Sequence, residues 1–311
     1  MPLFINGVVM DKFYSDTQSL FDAHPSLKEY SRRLLPQPHK SVSPVGSLHV
    51  IQREFAVVSP NDLNISIVGT TEATTCSIVV LRHSGSGVVA LGHFDGSGKE
   101  KGIKEMICKV EEYSATTAGE FELHMIGGFK DSKCYSTELC LEILYCFQRQ
   151  PVNIHLITAC VCELNNFVRN DINLPVIHGA AVNVKTGELY PAIFADKGPD
   201  VPLRSSRLFS PGSPDMLMIY ETYGEYGGLM RIGPFNYEPV RCIDDWMELG
   251  DDIILKYLST SPEAEGPDYV ADVRRALAFI QKHPFPFLTV FIKCQPRFYR
   301  KNEYGQWLSF Q

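Results

Sequence analysis

The sequence predicts an α+β fold with a largely antiparallel sheet. Short runs with strand periodicity and longer runs with helical periodicity are mixed along the 311 residues, without strict β-α-β alternation. Two pairs of predicted strands are joined by tight turns, Ser84-Gly85-Ser86-Gly87 and Lys185-Thr186-Gly187, and turns of this length pair their strands antiparallel. We find no internal repeat, and we expect one domain that spans residues 1–311.

The predicted strands are short runs that alternate or are continuously apolar: Leu48–Val58, Ile65–Val68, Ser77–His83, Val88–Asp95, Phe121–Ile126, Asn153–Cys162, Val176–Val184, Glu188–Phe194, Met216–Thr222, Leu229–Ile232 and Leu288–Lys293. The predicted helices carry apolar residues at helical spacing: Ser15–Leu35, Gly98–Tyr113, Ser136–Gln148, Asp244–Leu258 and Pro267–Lys282. Residues 36–44, residues 197–214 and the tail after residue 293 are expected to lack regular structure.

The composition is that of an ordinary globular protein, with 44% hydrophobic and 21% charged residues. A net charge of −7 argues against a nucleic acid as partner, because phosphate binding requires clustered positive charge. The N-terminus lacks the basic and apolar regions of a signal peptide, and we expect no membrane-spanning segment. The nine cysteines are scattered, so we expect reduced thiols in the cytoplasm or the nucleus.

One predicted hairpin can bring a thiol and an imidazole together. If the turn Ser84–Gly87 pairs its two end residues, Cys76 faces Asp95 and Ile78 faces His93. Because side chains alternate along a strand, all four then share one face of the sheet. Cys76 and His93 are diagonal neighbours on that face, roughly 7–8 Å apart at the backbone, a span that side chains can bridge.

A thiol beside an imidazole is the arrangement of a cysteine nucleophile. The imidazole of His93 takes the thiol proton, and the Cys76 thiolate attacks a carbonyl carbon. Thr70, in the segment before the thiol, is a candidate to orient the imidazole, and backbone N–H groups near Cys76 are candidates to bind the oxyanion. A cysteine at the start of an apolar strand is also common as a core residue, so the hairpin alone does not decide between the two interpretations.

A second group of potential ligands does not predict a metal site. Cys160 and Cys162 lie one residue apart on a predicted strand, with His155 nearby. Zinc sites require further ligands at C-x₂-C or H-x₃-H spacing, which this chain lacks, so we interpret both cysteines as core thiols. No glycine-rich segment has the pattern of a phosphate-binding loop. We therefore expect neither a metal nor an organic cofactor.

The hairpin is one of a series of distinctive blocks that run through nearly the whole chain. The hairpin block is ATTCSIVVLRHSGSGVVALGHFDG at residues 73–96. The others are VVSPNDLNISIVG, CELNN, LPVIHGAAVNVKTGELY, LMRIGPF, ILKYLSTSPEAEGP, QKHPFP and RKNEYGQW. In content and order, these blocks resemble the family of eukaryotic protein N-terminal asparagine amidohydrolases, the deamidases of the N-degron pathway.

The resemblance implies an α-β-β sandwich, of the kind found in the bacterial chemoreceptor glutamine deamidase and in a Rho-deamidating toxin. It also implies a catalytic triad of Cys76, His93 and a residue with a hydroxyl group. Thr70 stands where the family has a serine or a threonine, and Ser59 and Thr75 remain alternatives.

The implied reaction is hydrolysis of the side-chain amide of an N-terminal asparagine, which yields N-terminal aspartate and ammonia. The aspartate then enters the arginylation branch of the N-degron pathway, in the cytoplasm and the nucleus. The expected partners are the N-termini of proteins and peptides, bound by a monomer. The resemblance also implies an apolar pocket for the second residue of the substrate, and Tyr220–Tyr226 and Phe235–Tyr237 are candidates for its wall.

Recognition of a chain terminus requires an acceptor for the positively charged α-amine, and a carboxylate is the simplest one. Asp95, Glu72 and Glu163 are the candidates. Two other classes of function are compatible with the hairpin. One is a thiol enzyme of different specificity, such as a glutamine deamidase or a cysteine peptidase, and the other is a non-catalytic module that binds peptide N-termini.

Overall fold

The computed structural model describes residues 3–310, so Met1, Pro2 and Gln311 of the predicted domain lie outside the described residues. In chain order, the strands are β1 (Leu3–Ile5), β2 (Val8–Val9), β3 (Lys40–Val42), β4 (Ser47–His49), β5 (Glu54–Val58), β6 (Ile67–Thr70), β7 (Ser77–His83), β8 (Val89–Phe94), β9 (Phe121–Gly127), β10 (Ile154–Val161), β11 (Asn166–Arg169), β12 (Ile172–Pro175), β13 (Ala180–Asn183), β14 (Leu189–Phe194), β15 (Leu217–Glu221), β16 (Met230–Ile232), β17 (Arg297–Lys301) and β18 (Trp307–Phe310). The helices are α1 (Thr17–Ala23), α2 (Ser26–Leu34), α3 (Lys99–Ser114), α4 (Tyr135–Gln148), α5 (Val201–Ser206), α6 (Ile243–Glu248), α7 (Asp251–Leu258), α8 (Tyr269–Lys282) and α9 (Pro286–Thr289).

Most of the strands form two sheets. The large sheet has eleven strands in the order β18-β17-β16-β15-β5-β8-β7-β9-β10-β1-β2, and the small sheet has five in the order β3-β14-β13-β6-β4. Within residues 3–310, strands β11 and β12 pair only with each other. Antiparallel pairs of strands outnumber parallel pairs. The parallel pairs are β1 with β10, β10 with β9, β14 with β3, β15 with β5 and β4 with β6. The predicted α+β class and the largely antiparallel pairing are confirmed.

The central hairpin of the large sheet separates two cores. Val79 and Ala90 point to the face covered by helices α3 and α4. Val80 and Leu91 point to the opposite face, where they pack against residues of the small sheet such as Val68. Both faces of β7 and β8 are therefore buried, which explains why these strands are almost continuously apolar. The second face of the hairpin is enclosed between the two sheets.

Both predicted hairpins form, and the first has the predicted register. Strands β7 and β8 pair Ile78 with His93, and β13 and β14 pair Val182 with Leu189. The period of two along a strand and the short turns determine this register. Helices α3, α4 and α8 also agree with the prediction to within two residues at each end.

Three predicted elements are interrupted in the structure. The helix expected over residues 15–35 is divided into α1 and α2 next to Pro25, because proline cannot continue the hydrogen-bond ladder of a helix. The helix expected over residues 244–258 is divided at Gly250, which precedes α7. The strand expected over residues 48–58 turns at Arg53, which has a φ of +62°.

The C-terminal part differs most from the prediction. The prediction of a strand at Leu288–Lys293 is wrong, because α9 and a 3₁₀ turn at Ile292–Cys294 occupy this segment. Pro286 lies in the first turn of α9, where its fixed φ favours a helix. Strands β17 and β18 at the sheet edge and helix α5 in the predicted loop were not expected from the sequence. Within residues 3–310, the structure contains no helix of the length and apolar character needed to cross a bilayer.

Candidate active site

Cys76 lies at the entrance to β7, on the face that packs against the small sheet. Its side chain is buried with Ile78 in the core between the two sheets. Strand β9 ends beside it at Gly127, where φ is +102° and an added Cβ atom would lie 2.8 Å from the carbonyl oxygen of Cys76. The close approach of the two backbones therefore requires glycine at this position.

His93 in β8 shares this face and is also buried. Its Nδ1 lies 2.7 Å from the Oγ1 of Thr70, the last residue of β6 in the small sheet. Its Nε2 is buried without a hydrogen-bond partner among the described residues. One ring nitrogen is thus held by the hydroxyl, and the other is available to exchange a proton with a group on the same face, such as Cys76.

The other two candidate hydroxyls lie elsewhere. Ser59 Oγ is 3.1 Å from the phenolic oxygen of Tyr223, and Thr75 Oγ1 is 2.7 Å from Thr260 Oγ1. Of the three hydroxyls considered from the sequence, only that of Thr70 is hydrogen-bonded to His93.

Burial favours the neutral forms of both the imidazole and the thiol. Burial lowers the pKa of His93 to about 4, although the carboxylate of Asp95 opposes this shift. Burial, together with the negative charges of Asp95 and Glu265, raises the pKa of Cys76 well above its ordinary value, and the positive charge of Arg53 opposes it. A thiolate at Cys76 and an imidazolium at His93 are therefore both disfavoured in this arrangement.

Asp95 is held in an ion pair at the end of the hairpin. Its Oδ2 accepts hydrogen bonds from Arg53 Nε at 2.6 Å and from Gln52 Nε2 at 2.7 Å, and its Oδ1 accepts one from the Ser97 N–H at 2.9 Å. Burial alone would raise the pKa of Asp95, but Arg53 and the hydrogen bonds outweigh it and lower the pKa. The carboxylate expected to bind the α-amine is already neutralised by Arg53.

The other two predicted acceptors are also engaged. Glu72 is exposed and forms an ion pair with Lys197 at 2.6 Å, and the same ammonium contacts Asp272 at 3.0 Å. Glu163 accepts a hydrogen bond from Thr17 Oγ1 at 2.5 Å. Thr17 begins α1, and Cys162, the neighbour of Glu163, packs in the core on the helical side of the large sheet. The structure therefore does not bring Glu163 to the face that carries Cys76.

Glu265 is a carboxylate near the thiol that the sequence analysis did not single out. It lies between α7 and α8 and accepts a hydrogen bond from Ser259 Oγ at 2.6 Å. This segment packs beside the thiol, because Thr260 Oγ1 lies 2.7 Å from the Oγ1 of Thr75, the residue before Cys76. This carboxylate belongs to the block ILKYLSTSPEAEGP, one of the blocks that carry the family resemblance.

The aromatic residues considered for the pocket wall are divided between two places: Tyr220, Phe235 and Tyr237 lie in the core that contains Cys76, whereas Tyr223 is exposed. Tyr223 lines a polar cleft together with Ser86, at the turn of the hairpin and thus at the opposite end from Cys76. Phe235 is buried against Phe291. Tyr269 at the start of α8 is partly buried and packs against the core that contains Cys76.

The two cysteines considered as metal ligands are buried, as expected for core thiols. They nevertheless pack in different cores, because the chain leaves β10 before Cys162, which has a φ of +50°. Among residues 3–310, no three side chains of the His, Cys, Asp or Glu type are grouped so that they could hold a metal ion.

The fold and the site together define an α+β protein in which two sheets enclose a thiol, an imidazole and a hydroxyl. The profile of one family, described as protein N-terminal asparagine amidohydrolase, matches residues 37–309. The human protein named Protein N-terminal asparagine amidohydrolase is 42% identical over 308 residues, which cover 99% of this chain and 97% of the relative. Two further proteins of the same name also match. The one from Sus scrofa is 41% identical over 99% of this chain and 97% of the relative, and the one from Arabidopsis thaliana is 31% identical over 84% of this chain and 80% of the relative.

The chain therefore belongs to the protein N-terminal asparagine amidohydrolase family and is an amidohydrolase. The resemblance inferred from the sequence blocks is confirmed.

Proposed function

We propose that this protein hydrolyses the side-chain amide of an N-terminal asparagine, with Cys76 as nucleophile. The observation that carries the proposal is the hydrogen bond between Thr70 and His93 on the buried face shared with Cys76. The family membership and the shared name of the relatives support the choice of substrate.

The first step transfers a proton within the site. Thr70 Oγ1 lies 3.5 Å from the carbonyl oxygen of Thr71, so a hydroxyl that points to this carbonyl can accept the Nδ1–H of His93. This arrangement selects the tautomer in which Nε2 carries a lone pair. Nε2 takes the thiol proton of Cys76 as the sulfur attacks the amide carbon of the substrate.

The remaining steps return the enzyme to its starting state. Backbone N–H groups at the entrance to β7, including that of Cys76, stabilise the oxyanion of the tetrahedral intermediate. Protonated His93 gives its proton to the departing nitrogen, so that ammonia leaves and a thioester remains. His93 then deprotonates a water molecule that attacks the thioester, which releases aspartate and restores the Cys76 thiol. No step in this scheme requires a metal or an organic cofactor.

The finer assignments form part of the same proposal. The three layers around the β7–β8 hairpin support an α-β-β sandwich of the type found in Cys-His deamidases. We place the protein in the cytoplasm and the nucleus as a monomer, where its aspartate product feeds the arginylation branch of the N-degron pathway. An apolar pocket beside Cys76, with Tyr269 in its wall, accommodates the second residue of the substrate.

Product analysis by mass spectrometry tests the proposed function. The purified protein is incubated with matched peptides that begin with Asn, begin with Gln, or carry Asn at the second position. We expect conversion of an amide to an acid only in the first peptide, with the peptide bond intact. Conversion of the Gln peptide would indicate a glutamine deamidase, and cleavage of a peptide bond would indicate a peptidase. Binding of the Asn peptide without any conversion would indicate a non-catalytic module.

A further inference from the structure

One carboxylate beside the proposed nucleophile has no role in the proton transfers described above. Glu265 lies on the segment between α7 and α8, and this segment contacts the residues that precede Cys76. Thr75 Oγ1 is 2.7 Å from Thr260 Oγ1, and Ser259 Oγ on the same segment donates a hydrogen bond to Glu265 Oε1 at 2.6 Å. The carboxylate and the thiol thus belong to two segments that pack directly against each other.

Glu265 differs from the neighbouring carboxylates because it lacks a cation. Asp95 is paired with Arg53, and Glu72 with Lys197. Glu265 accepts a hydrogen bond from the hydroxyl of Ser259, and no ion pair involves it among residues 3–310. A partly buried carboxylate without a counter-charge is costly, and structures usually provide such a group with a cation or a ligand.

The size of asparagine limits where its α-amine can bind. Three bonds separate the α-nitrogen from the side-chain amide carbon, so the acceptor of the amine has to lie on a segment adjacent to the attacking sulfur. Glu265 meets this condition and retains an unneutralised charge. We propose that the Glu265 carboxylate binds the α-ammonium group of the substrate and determines the specificity for a chain terminus. This inference rests on the proposed function.

Binding of the ammonium group at Glu265 would also promote the chemistry. The negative charge of Glu265 disfavours the Cys76 thiolate, as does that of Asp95, which Arg53 already offsets. A substrate ammonium would offset the charge of Glu265 in the same way. A peptide without a free amine therefore lacks both the binding contact and the charge that assists the thiol.

The protonation of Glu265 gives the site a dependence on pH. Burial raises the pKa of Glu265 to about 7, and the charge of Glu72 adds to the shift, while hydrogen bonds from Ser259 and Thr74 oppose it. Cys76 and Tyr269 are the other titratable groups that interact with this carboxylate. Binding requires an ionised Glu265 and a protonated α-amine, whose ordinary pKa is about 7.7–8.0, so affinity should rise as the pH approaches about 7 and fall again above about 8.

The test measures binding in the absence of turnover. Calorimetry with Cys76→Ala protein compares an Asn-initiated peptide with the same peptide lacking only the α-amino group. We expect the amine to improve affinity by at least about 30-fold, the lower end of the effect of a buried charge partner. Adding Glu265→Gln should remove most of this preference, whereas adding Glu263→Gln, on the neighbouring exposed residue, should preserve it.

The two outcomes separate clearly. The assignment of Glu265 as the ammonium-binding group would be overturned if Cys76→Ala/Glu265→Gln protein kept the full preference for the amine. It would also be overturned if Cys76→Ala protein bound both peptides with equal affinity. Because the readout is a ratio of two affinities in one preparation, partial misfolding of a variant does not alter it. Failure of the proposed function would appear separately, as the absence of ammonia release from the Asn peptide by the wild-type protein.

Discussion

The hydroxyl of Thr70 in the small sheet and the imidazole of His93 in the large sheet are joined by a 2.7 Å hydrogen bond. The orientation of the imidazole therefore depends on how the two sheets pack. Since His93 Nε2 has no other partner among the described residues, this single contact distinguishes the two ring nitrogens. The roles proposed for Thr70 and His93 can be separated experimentally.

Replacing His93 by Ala should lower kcat by about 10²–10⁴-fold, the usual effect of losing a positioned acid–base group. Thr70→Val should lower kcat by less than His93→Ala, because the hydroxyl orients the ring and transfers no proton. Thr70→Ser keeps a hydroxyl and should therefore retain the activity that Thr70→Val loses. Steady-state kinetics on an Asn peptide measures all three. His83→Ala serves as the control, because His83 lies at the opposite end of β7 and bonds to Ser86. Near-normal activity in His93→Ala protein with an inactive His83→Ala protein would contradict the assignment.

Cys76 should react slowly with iodoacetamide in the free protein. Its thiol is buried and has a raised pKa, whereas Cys108, Cys134, Cys242 and Cys294 are exposed. Peptide mapping after timed labelling near neutral pH should show the four exposed cysteines modified first. In Glu265→Gln protein, labelling of Cys76 should be faster, because one negative charge that disfavours its thiolate is gone. Slower labelling in this variant would contradict the proposed electrostatic coupling.

The stability of the fold should depend on pH through Glu265. Its folded-state pKa of about 7 lies above the ordinary carboxyl value of about 4.3, so the folded state binds the proton more tightly than the unfolded state. The resulting stabilisation is complete below about pH 4 and is lost as the pH rises through about 7. Thermal unfolding should therefore show that Glu265→Gln stabilises the protein more at about pH 8 than at about pH 5. Glu263→Gln should show no such difference, and equal behaviour of the two variants would contradict the raised pKa.

Substrates with an apolar second residue should be preferred. Burial of a Leu or Phe side chain against Tyr269 should raise kcat/KM by about tenfold or more over Asp or Lys at this position. Kinetics on four Asn-Xaa peptides, with Xaa as Leu, Phe, Asp and Lys, provides the comparison. Tyr269→Ala should reduce the preference without changing the requirement for a free amine. A preference for Asp or Lys would show that the second residue does not enter an apolar pocket.

The parts of the site that depend on local geometry could be predicted from the sequence. The tight turn and the alternation of side chains determine the register that places His93 opposite Ile78. Glu265 could not be found in this way, because its proximity to Cys76 results from packing between segments almost 190 residues apart in the chain. For the same reason, the ion pair that neutralises Asp95 was not visible in the sequence, although Arg53 is close to the hairpin in the fold.

The errors in the fold prediction also have physical causes. The apolar residues of Leu288–Lys293 suggested a strand, but Pro286 begins a short helix there. Strand β17 was missed because its sequence, RFYRK, is rich in charge. Charged side chains are typical of strands near a sheet edge, where they discourage pairing with other chains. Periodicity alone therefore identifies buried strands more readily than peripheral ones.

Ammonia release from an Asn-initiated peptide, compared between wild-type and Cys76→Ala protein, tests the central claim most directly. The proposal predicts stoichiometric release by the wild-type protein and none above background by Cys76→Ala protein of unchanged thermal stability. Acetylation of the peptide N-terminus should abolish release by the wild-type protein. Substantial release by Cys76→Ala protein would contradict the role of Cys76 as nucleophile, and the absence of release by the wild-type protein would contradict the proposed function itself.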